Sequence, residues 1–188
     1  EIELVIQQVG RITTIIRSLL QYSRPGEFNA PITLQPVTPI VEEMLLLARH
    51  SIEQQEVKLI KEFTATGSVE VNRPQLLQVL INLMVNAAHA IENKGRIWLR
   101  TYDWLEDGIA IGVKIEVEDE GMGISKQDLS RIFDPFYTTR KDGTGLGLSL
   151  SYGIIKRLGG TIEVNSTVGK GTIFTIGLYH KAKDDQQL

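Results

Sequence analysis

Apolar residues recur along the first 23 positions at Ile2, Val5, Val9, Ile12, Ile16 and Leu19, at spacings of three and four. That is the seam of an amphipathic helix, and Leu4, Ile6, Ile15 and Leu20 widen it into the stripe expected in a bundle of several helices. A helix packed on its own domain would show a similar stripe. The stretch "SRPGEFNAP" (residues 23–31) stops the pattern with proline and glycine and reads as a linker. Beyond it the periodicity switches repeatedly. Thr38 to about Gln55 has helical spacing, with Thr38 as candidate N-cap and Pro39 in the first turn. "VKLIKEF" (57–63) alternates like a strand. "NRPQLLQVLINLMVNAAHAIENKG" predicts a long amphipathic helix, capped by Asn72, with Pro74 in its first turn and Gly95 as its C-terminal stop. "RIWLRTY" (96–102) and "IAIGVKIEVED" (109–119) read as strands around a polar turn at Glu106–Gly108. Leu148 to Leu158 reads as a helix, and "GTIEVNS" and "GTIFTIGLYH" as a closing pair of strands. Helices alternating with strands joined by short turns predict an α+β fold: a two-layer sandwich with a mixed sheet and helices on one face. The polar tail "KAKDDQQL" adds no element.

Composition narrows the function classes. In 188 residues the net charge is −3, with basic and acidic side chains interleaved, which argues against a nucleic-acid partner. The absence of cysteine excludes disulfides, thiolate metal sites and thiol nucleophiles and suits a reducing compartment, so a cytoplasmic location is expected. No apolar run reaches the roughly 18–20 residues of a membrane-spanning helix. The chain opens without methionine, which suggests a piece of a longer protein whose membrane anchor, if any, lies upstream.

Four stretches at element ends carry candidate chemistry. "NLMVNAAHA" sets Asn82, Asn86 and His89 on one helix face at spacings of four and three. "DEGMGI" ends a strand with Asp119 and opens the backbone at Gly121 and Gly123. "IFDPFYTTRK" brackets a proline with Phe133 and Phe136 and runs into Arg140 and Lys141. "GTGLGLS" sets Gly143, Gly145 and Gly147 at every second position before a helix whose N-terminal amides favour an anion. No P-loop and no G-x-G-x-x-G sequence occurs.

Taken in order, "NLMVNAAHAI", "DEGMGI", "IFDPFYTTRKDGTGLGLSLSYGIIKRLGG" and "VGKGTIFTI" resemble the asparagine, glycine and phenylalanine boxes of sensor histidine kinases. These share an ATP-binding superfamily with gyrase, the heat-shock ninety chaperones and MutL. The wording "DPFYTTR…GTGLGL" is most similar to the nitrogen-regulation sensor kinases, and "LLQYSRP" resembles the end of the second dimerisation helix. The resemblance implies a partial dimerisation hairpin in residues 1–24, a linker in 25–31, an ATP-binding catalytic domain in 32–182 and a tail in 183–188. It implies that Asp119 accepts the adenine amine, that Asn86 supplies an oxygen to Mg²⁺, and that Asn82 supports the phosphates. His89 stands where many relatives carry a phosphate-binding lysine. Gly143, Gly145 and Gly147 would wrap the triphosphate, with Arg140 and Lys141 as basic lid residues. Gly121, Gly123, Ile124, Thr139, Thr144, Leu146 and Leu148 would line the same site, with Gly171 and Thr172 beside the adenine-reading aspartate. Phe133 and Phe136 are expected as lid hinges and core packing.

In the superfamily's ATPases a glutamate one turn before the magnesium asparagine acts as general base. Asn82 occupies that position here, and an amide cannot take a proton from water near neutral pH. The expectation is therefore a protein-histidine kinase rather than an ATPase, with a nucleotide-binding pseudo-kinase as the alternative. None of His50, His89 and His180 has the family's phospho-acceptor context, so the accepting histidine would lie outside this sequence. The implied partners are ATP, a response-regulator receiver domain and the parent's own dimerisation hairpin in a homodimer.

Overall fold

The computed structural model describes residues 30–53, 56–140 and 143–181, apart from the side chains of His50 and Ser51. The helix expected through residue 23 and the tail from 183 lie outside the described residues, as does most of the linker.

The chain enters through strand β1 (Thr33–Pro36), which pairs antiparallel with β3 (Ser68–Val71) as a small separate ladder. Neither strand was legible in the sequence, because four residues are too few to show alternation. Helix α1 (Val37–Glu53) follows β1 without a loop. It starts one residue before the expected cap, so Thr38 lies inside the first turn beside Pro39. Strand β2 (Glu56–Phe63) then leads to β3 and helix α2 (Arg73–Ala90). Asn72 caps α2 as predicted: its Oδ1 accepts from the Gln75 N–H at 3.0 Å, while its Nδ2 donates to Ala30 O at 2.5 Å. The helix and the incoming chain are thus fixed by one side chain.

Helix α2 ends at Ala90, short of the Gly95 stop. Ile91 turns to an extended conformation (φ −91°, ψ 114°) because its side chain is drawn into the core, where it is buried. Gly95 instead lies at the start of β4 (Lys94–Glu106), with Ile91 folded against it. β4 and β5 (Ile109–Asp119) form a hairpin through Asp107 and Gly108, both at positive φ (50° and 79°). After the short helix α3 (Lys126–Leu129) and the glycine loop come α4 (Gly147–Arg157), β6 (Thr161–Thr167) and β7 (Gly171–Tyr179).

The main sheet has the order β2-β4-β5-β7-β6, with β2 parallel to β4 and the other neighbours antiparallel. The mixed sheet of an α+β sandwich is therefore as expected. One face is apolar: Ile97 and Leu99 of β4, Val113, Ile115 and Val117 of β5, and Phe174, Ile176 and Leu178 of β7 are buried. They join Leu76, Val79, Leu80, Leu83 and Met84 of α2 in one core. Each such side chain contributes about 1.5–3 kcal/mol of burial. The opposite face is charged, and on it Arg100 pairs with Glu62, Glu116 and Glu118 across three strands. The consequence for the site is positional: α2 is pressed along the sheet, and the ends of β5, β7 and α2 converge at one corner.

Candidate functional site

That corner is built on Asp119. It is the last residue of β5 and only 4% exposed, and its Oδ1 accepts the Gly121 N–H at 2.8 Å. Burial pushes its carboxyl up to about 6; the Gly121 and Thr172 N–H groups pull it down by less, and Glu118 adds a smaller push upward. Thr172, directly opposite in β7, is also buried. Gly171 has φ 107°, and a Cβ there would overlap the Asp119 carbonyl oxygen, so only glycine lets β7 start this close. The turn after Asp119 closes on α2: Met122 N–H donates to Ala90 O at 3.0 Å, capping a free helix carbonyl. Ser166 of β6 pins the two glycine turns together. Its Oγ accepts from the Ile124 N–H at 2.8 Å, donates to Gly171 O at 2.9 Å and lies 2.9 Å from Thr172 Oγ1.

The polar stripe of α2 runs away from this corner. His89 is in the last turn, and partial burial first, then the charge of Arg140, hold its imidazole below the usual histidine value. It is therefore mostly neutral at pH 7, and the basic lid residue is near it. Asn86 is half-buried, and its amide makes no hydrogen bond among the described residues. Asn82, one turn further back, donates from Nδ2 to Ser151 Oγ of α4 at 2.9 Å.

The lid is rooted at the Asn82 end of α2, where Gly147 lies against the Asn82 amide. Thr138, Thr139 and Arg140 are exposed, and Arg140 makes no ion pair among the described residues. Thr138 Oγ1 accepts the Arg140 N–H at 3.1 Å, and Gly143 N–H donates to Arg140 O at 3.2 Å. Gly143, Thr144, Gly145 and Leu146 are half-buried, and Gly147 and Leu148 open α4. No side chain caps α4, so its first N–H groups remain available to a ligand. Lys141 lies outside the described residues.

The two phenylalanines divide. Phe133 packs against the core and stacks on Tyr152 at 5.0 Å between ring centroids. Phe136 does not join the core as expected: it is 65% exposed and held at φ 67°, because the turn brings its backbone against Gly145 and aims the ring outward.

Asp119, Gly121, Gly123, Ile124, Gly171 and Thr172 thus gather at one end, and Asn82, Gly147 and Leu148 at the other, with Asn86 and His89 between. Sequence reasoning missed Ser166 and Ser151. Ser166 sits opposite Thr172 in the β6–β7 register, the one clue available once the hairpin is recognised. Among the described residues no cluster of three or more histidine, aspartate or glutamate side chains could hold a metal ion. A divalent ion would find one amide oxygen at Asn86 and would complete its shell with phosphate oxygens and water, a set that suits Mg²⁺. No described helix is long and apolar enough to cross a membrane.

The family model for histidine kinase-, DNA gyrase B- and HSP90-like ATPases matches residues 71–182. Among curated proteins the chain is 35% identical over 176 residues to the signal transduction histidine-protein kinase AtoS of Escherichia coli K12, covering 93% of this chain and 28% of AtoS. It is 39% identical over 184 residues to the sensor kinase CckA of Brucella abortus, covering 92% of this chain and 19% of CckA. Among solved structures it is similar to the nucleotide-free catalytic domain of histidine kinase ThkA, with a TM-score of 0.71 and 29% identity, covering 80% of this chain and 97% of that one. The chain therefore spans little more than a quarter of AtoS and less of CckA.

Proposed function

We propose that this chain, a member of the histidine kinase-, DNA gyrase B- and HSP90-like ATPase family, is the ATP-binding catalytic domain of a sensor histidine kinase and binds ATP with the base at Asp119 and the phosphates under the glycine lid. The observation that carries this placement is the buried carboxylate of Asp119, cradled by backbone N–H groups. One carboxylate oxygen is already engaged by Gly121. The remaining acceptor capacity suits an exocyclic amine and rejects a base that presents a carbonyl there.

At the other end, Arg140 supplies a charge with no ion-pair partner among the described residues, and the lid amides and the start of α4 supply donors for phosphate oxygens. His89, mostly neutral at pH 7, adds a single donor. Asn86 contributes an oxygen to Mg²⁺, whose chemistry when bound is to neutralise phosphate charge. Around it the chain's own residues orient the nucleotide and keep the lid closed over it. The catalytic domain in this reading is residues 32–182, and the hairpin expected in residues 1–24 lies outside the described residues.

In that protein an imidazole nitrogen brought to the lid attacks the γ-phosphorus. A nitrogen–phosphorus bond forms, the bond to the β–γ bridging oxygen breaks, and ADP leaves. The phosphoryl group then passes to an aspartate of a response-regulator receiver domain, and the parent works as a homodimer with this domain on the cytoplasmic side. His180 Nδ1 is held 2.7 Å from Ser68 O, and His89 lies inside the asparagine stripe within reach of the Arg140 charge, so the acceptor is taken to come from outside this domain. Asn82 cannot act as general base toward water, which disfavours steady hydrolysis.

The test is a calorimetric titration with Mg²⁺ and ATP, with phosphate release followed in the same sample, for this chain and for Asp119→Ala. Binding that Asp119→Ala abolishes, with negligible turnover, supports the reading. Sustained turnover would return the hydrolase, and a lack of binding would leave a pseudo-kinase.

A further inference from the structure

Ser151 is one of the few polar side chains buried in this domain, 2% exposed, and the nucleotide reading gives it no task. It lies in the second turn of α4, and its hydroxyl donates to Gly147 O at 3.0 Å. A serine bonding back to the carbonyl four residues earlier is common in helices and by itself is only local. Here the same oxygen also accepts the Asn82 Nδ2 of α2 at 2.9 Å. The two bonds make a relay from the long helix, through Ser151, to the first residue of α4, which is also the last glycine of the lid.

Gly147 confirms how close the two helices are. A Cβ there would overlap Asn82 Oδ1 and lie 3.0 Å from its Cγ and 3.1 Å from its Nδ2. The amide of Asn82 therefore fills the space a side chain at 147 would occupy. A hydroxyl-to-carbonyl bond ties α4 to itself, and an amide-to-hydroxyl bond ties it to α2. Neither a lone capping group nor a surface contact would fix both. Ser149 Oγ donates to Leu146 O at 3.0 Å and Thr144 Oγ1 accepts the Leu146 N–H at 3.4 Å, but both bonds stay within the loop and its own helix, whereas the relay reaches across to α2.

We propose that Ser151 is a positioning residue: with Asn82 it latches Gly147 to α2 and so fixes where the C-terminal end of the lid stands when the loop closes over phosphate. The proposal rests on the reading that the lid holds the triphosphate. It gives Asn82 a role other than direct phosphate contact, since the Nδ2 group is already engaged. It also explains why an amide, with a donor to give, suits this position. A glutamate would bring no donor to Ser151 and would be one methylene too long for the space over Gly147.

The test compares Ser151→Ala with the unaltered chain, measuring affinity for adenosine and for Mg²⁺-ATP and hydrogen exchange of residues 143–147 with and without ATP. Adenosine reaches the Asp119 corner but not the lid, so it reports the pocket separately from the latch. The latch predicts unchanged adenosine affinity, a fall of roughly three- to tenfold in ATP affinity, and loss of much of the ATP-dependent protection at 143–147. Equal weakening of both ligands would mean a general structural role and would overturn the proposal, as would unchanged ATP affinity. Gly147→Ala attacks the same contact from the lid side and should reproduce the selective loss. Combined with Ser151→Ala it should cost less than the sum of the two single losses, because the latch they share can be broken only once. Full additivity of the two would also overturn the proposal. If the unaltered chain binds neither ligand, the nucleotide reading itself is wrong.

Discussion

Lowering the pH from 7 to 5 should loosen the grip on the base by titrating Asp119. With its carboxyl at about 6 in the ligand-free domain, the ionised fraction falls from about 0.9 at pH 7 to about 0.1 at pH 5. A ligand that requires the carboxylate then binds roughly tenfold more weakly, a loss of ~1.4 kcal/mol. Adenosine is the right probe, because it carries no phosphate that titrates in this range and does not reach His89 and Arg140. Its dissociation constant, measured by calorimetry at constant ionic strength, should be steady above about pH 7 and rise toward acid. Asp119→Asn should bind weakly and without this dependence, since the one oxygen of its amide is claimed by the Gly121 N–H. The sign for folding is opposite. The folded-state value lies above that of an unfolded aspartate, so the stabilisation from protonating this group is complete below the unfolded value and is lost as the pH rises through about 6. At pH 7 the ionised carboxylate costs the ligand-free domain at most ~3 kcal/mol, and less because water reaches it from the ligand side. Adenosine affinity that is flat from pH 7 to 5, or that rises toward acid, would refute the assignment of Asp119 as the base reader.

Three further outcomes test the architecture. Thr101 is wholly buried and its hydroxyl finds no partner among the described residues, so Thr101→Val should be neutral or should stabilise the domain by about 0.5–1 kcal/mol in urea titration; a clear loss would mean that the hydroxyl is bonded. Gly171→Ala forces a side chain into the Asp119 carbonyl and should cost about 2 kcal/mol or more of stability and most of the adenosine affinity, whereas wild-type behaviour would contradict the described β7 start. Arg100→Met strands Glu62, Glu116 and Glu118 and should destabilise by about 1–2 kcal/mol at low salt and less at high salt, as followed by denaturation; a loss independent of salt would point to packing instead.

What could be read from the sequence were groups that act through backbone geometry at element ends. Local rules put Asp119 at a strand end, the paired glycines in turns and the asparagines on one helix face, while their roles came only from the resemblance of the ordered motifs to sensor histidine kinases. The buried hydroxyls could not be read in this way. Ser151 and Ser166 look like ordinary serines in a helix and a strand until α2, β5 and β7 are assembled around them. Helix α2 is shorter than its sequence pattern predicts for a related reason: nothing local marks Ile91 as a core residue, and Gly95 is a plausible stop. The outward turn of Phe136 depends on Gly145 lying against its backbone, a contact across the loop rather than along it.

Helix α2 meets the adenine-side turn at Ala90 and the root of the lid at Asn82. Eight residues at 1.5 Å each make about 12 Å of stiff backbone between the two ends. On the proposed placement of ATP, the helix is a ruler laid beside the cleft, and the distance from base to last phosphate would be graduated on it rather than on the loop. One residue inserted between 83 and 89 would lengthen the ruler by about 1.5 Å and swing one end about 100° around the axis, whereas several residues inserted into the loop leave the scale intact. The loop can thus change in length, provided Arg140 and its glycines are kept, but the stretch of helix it is measured against cannot.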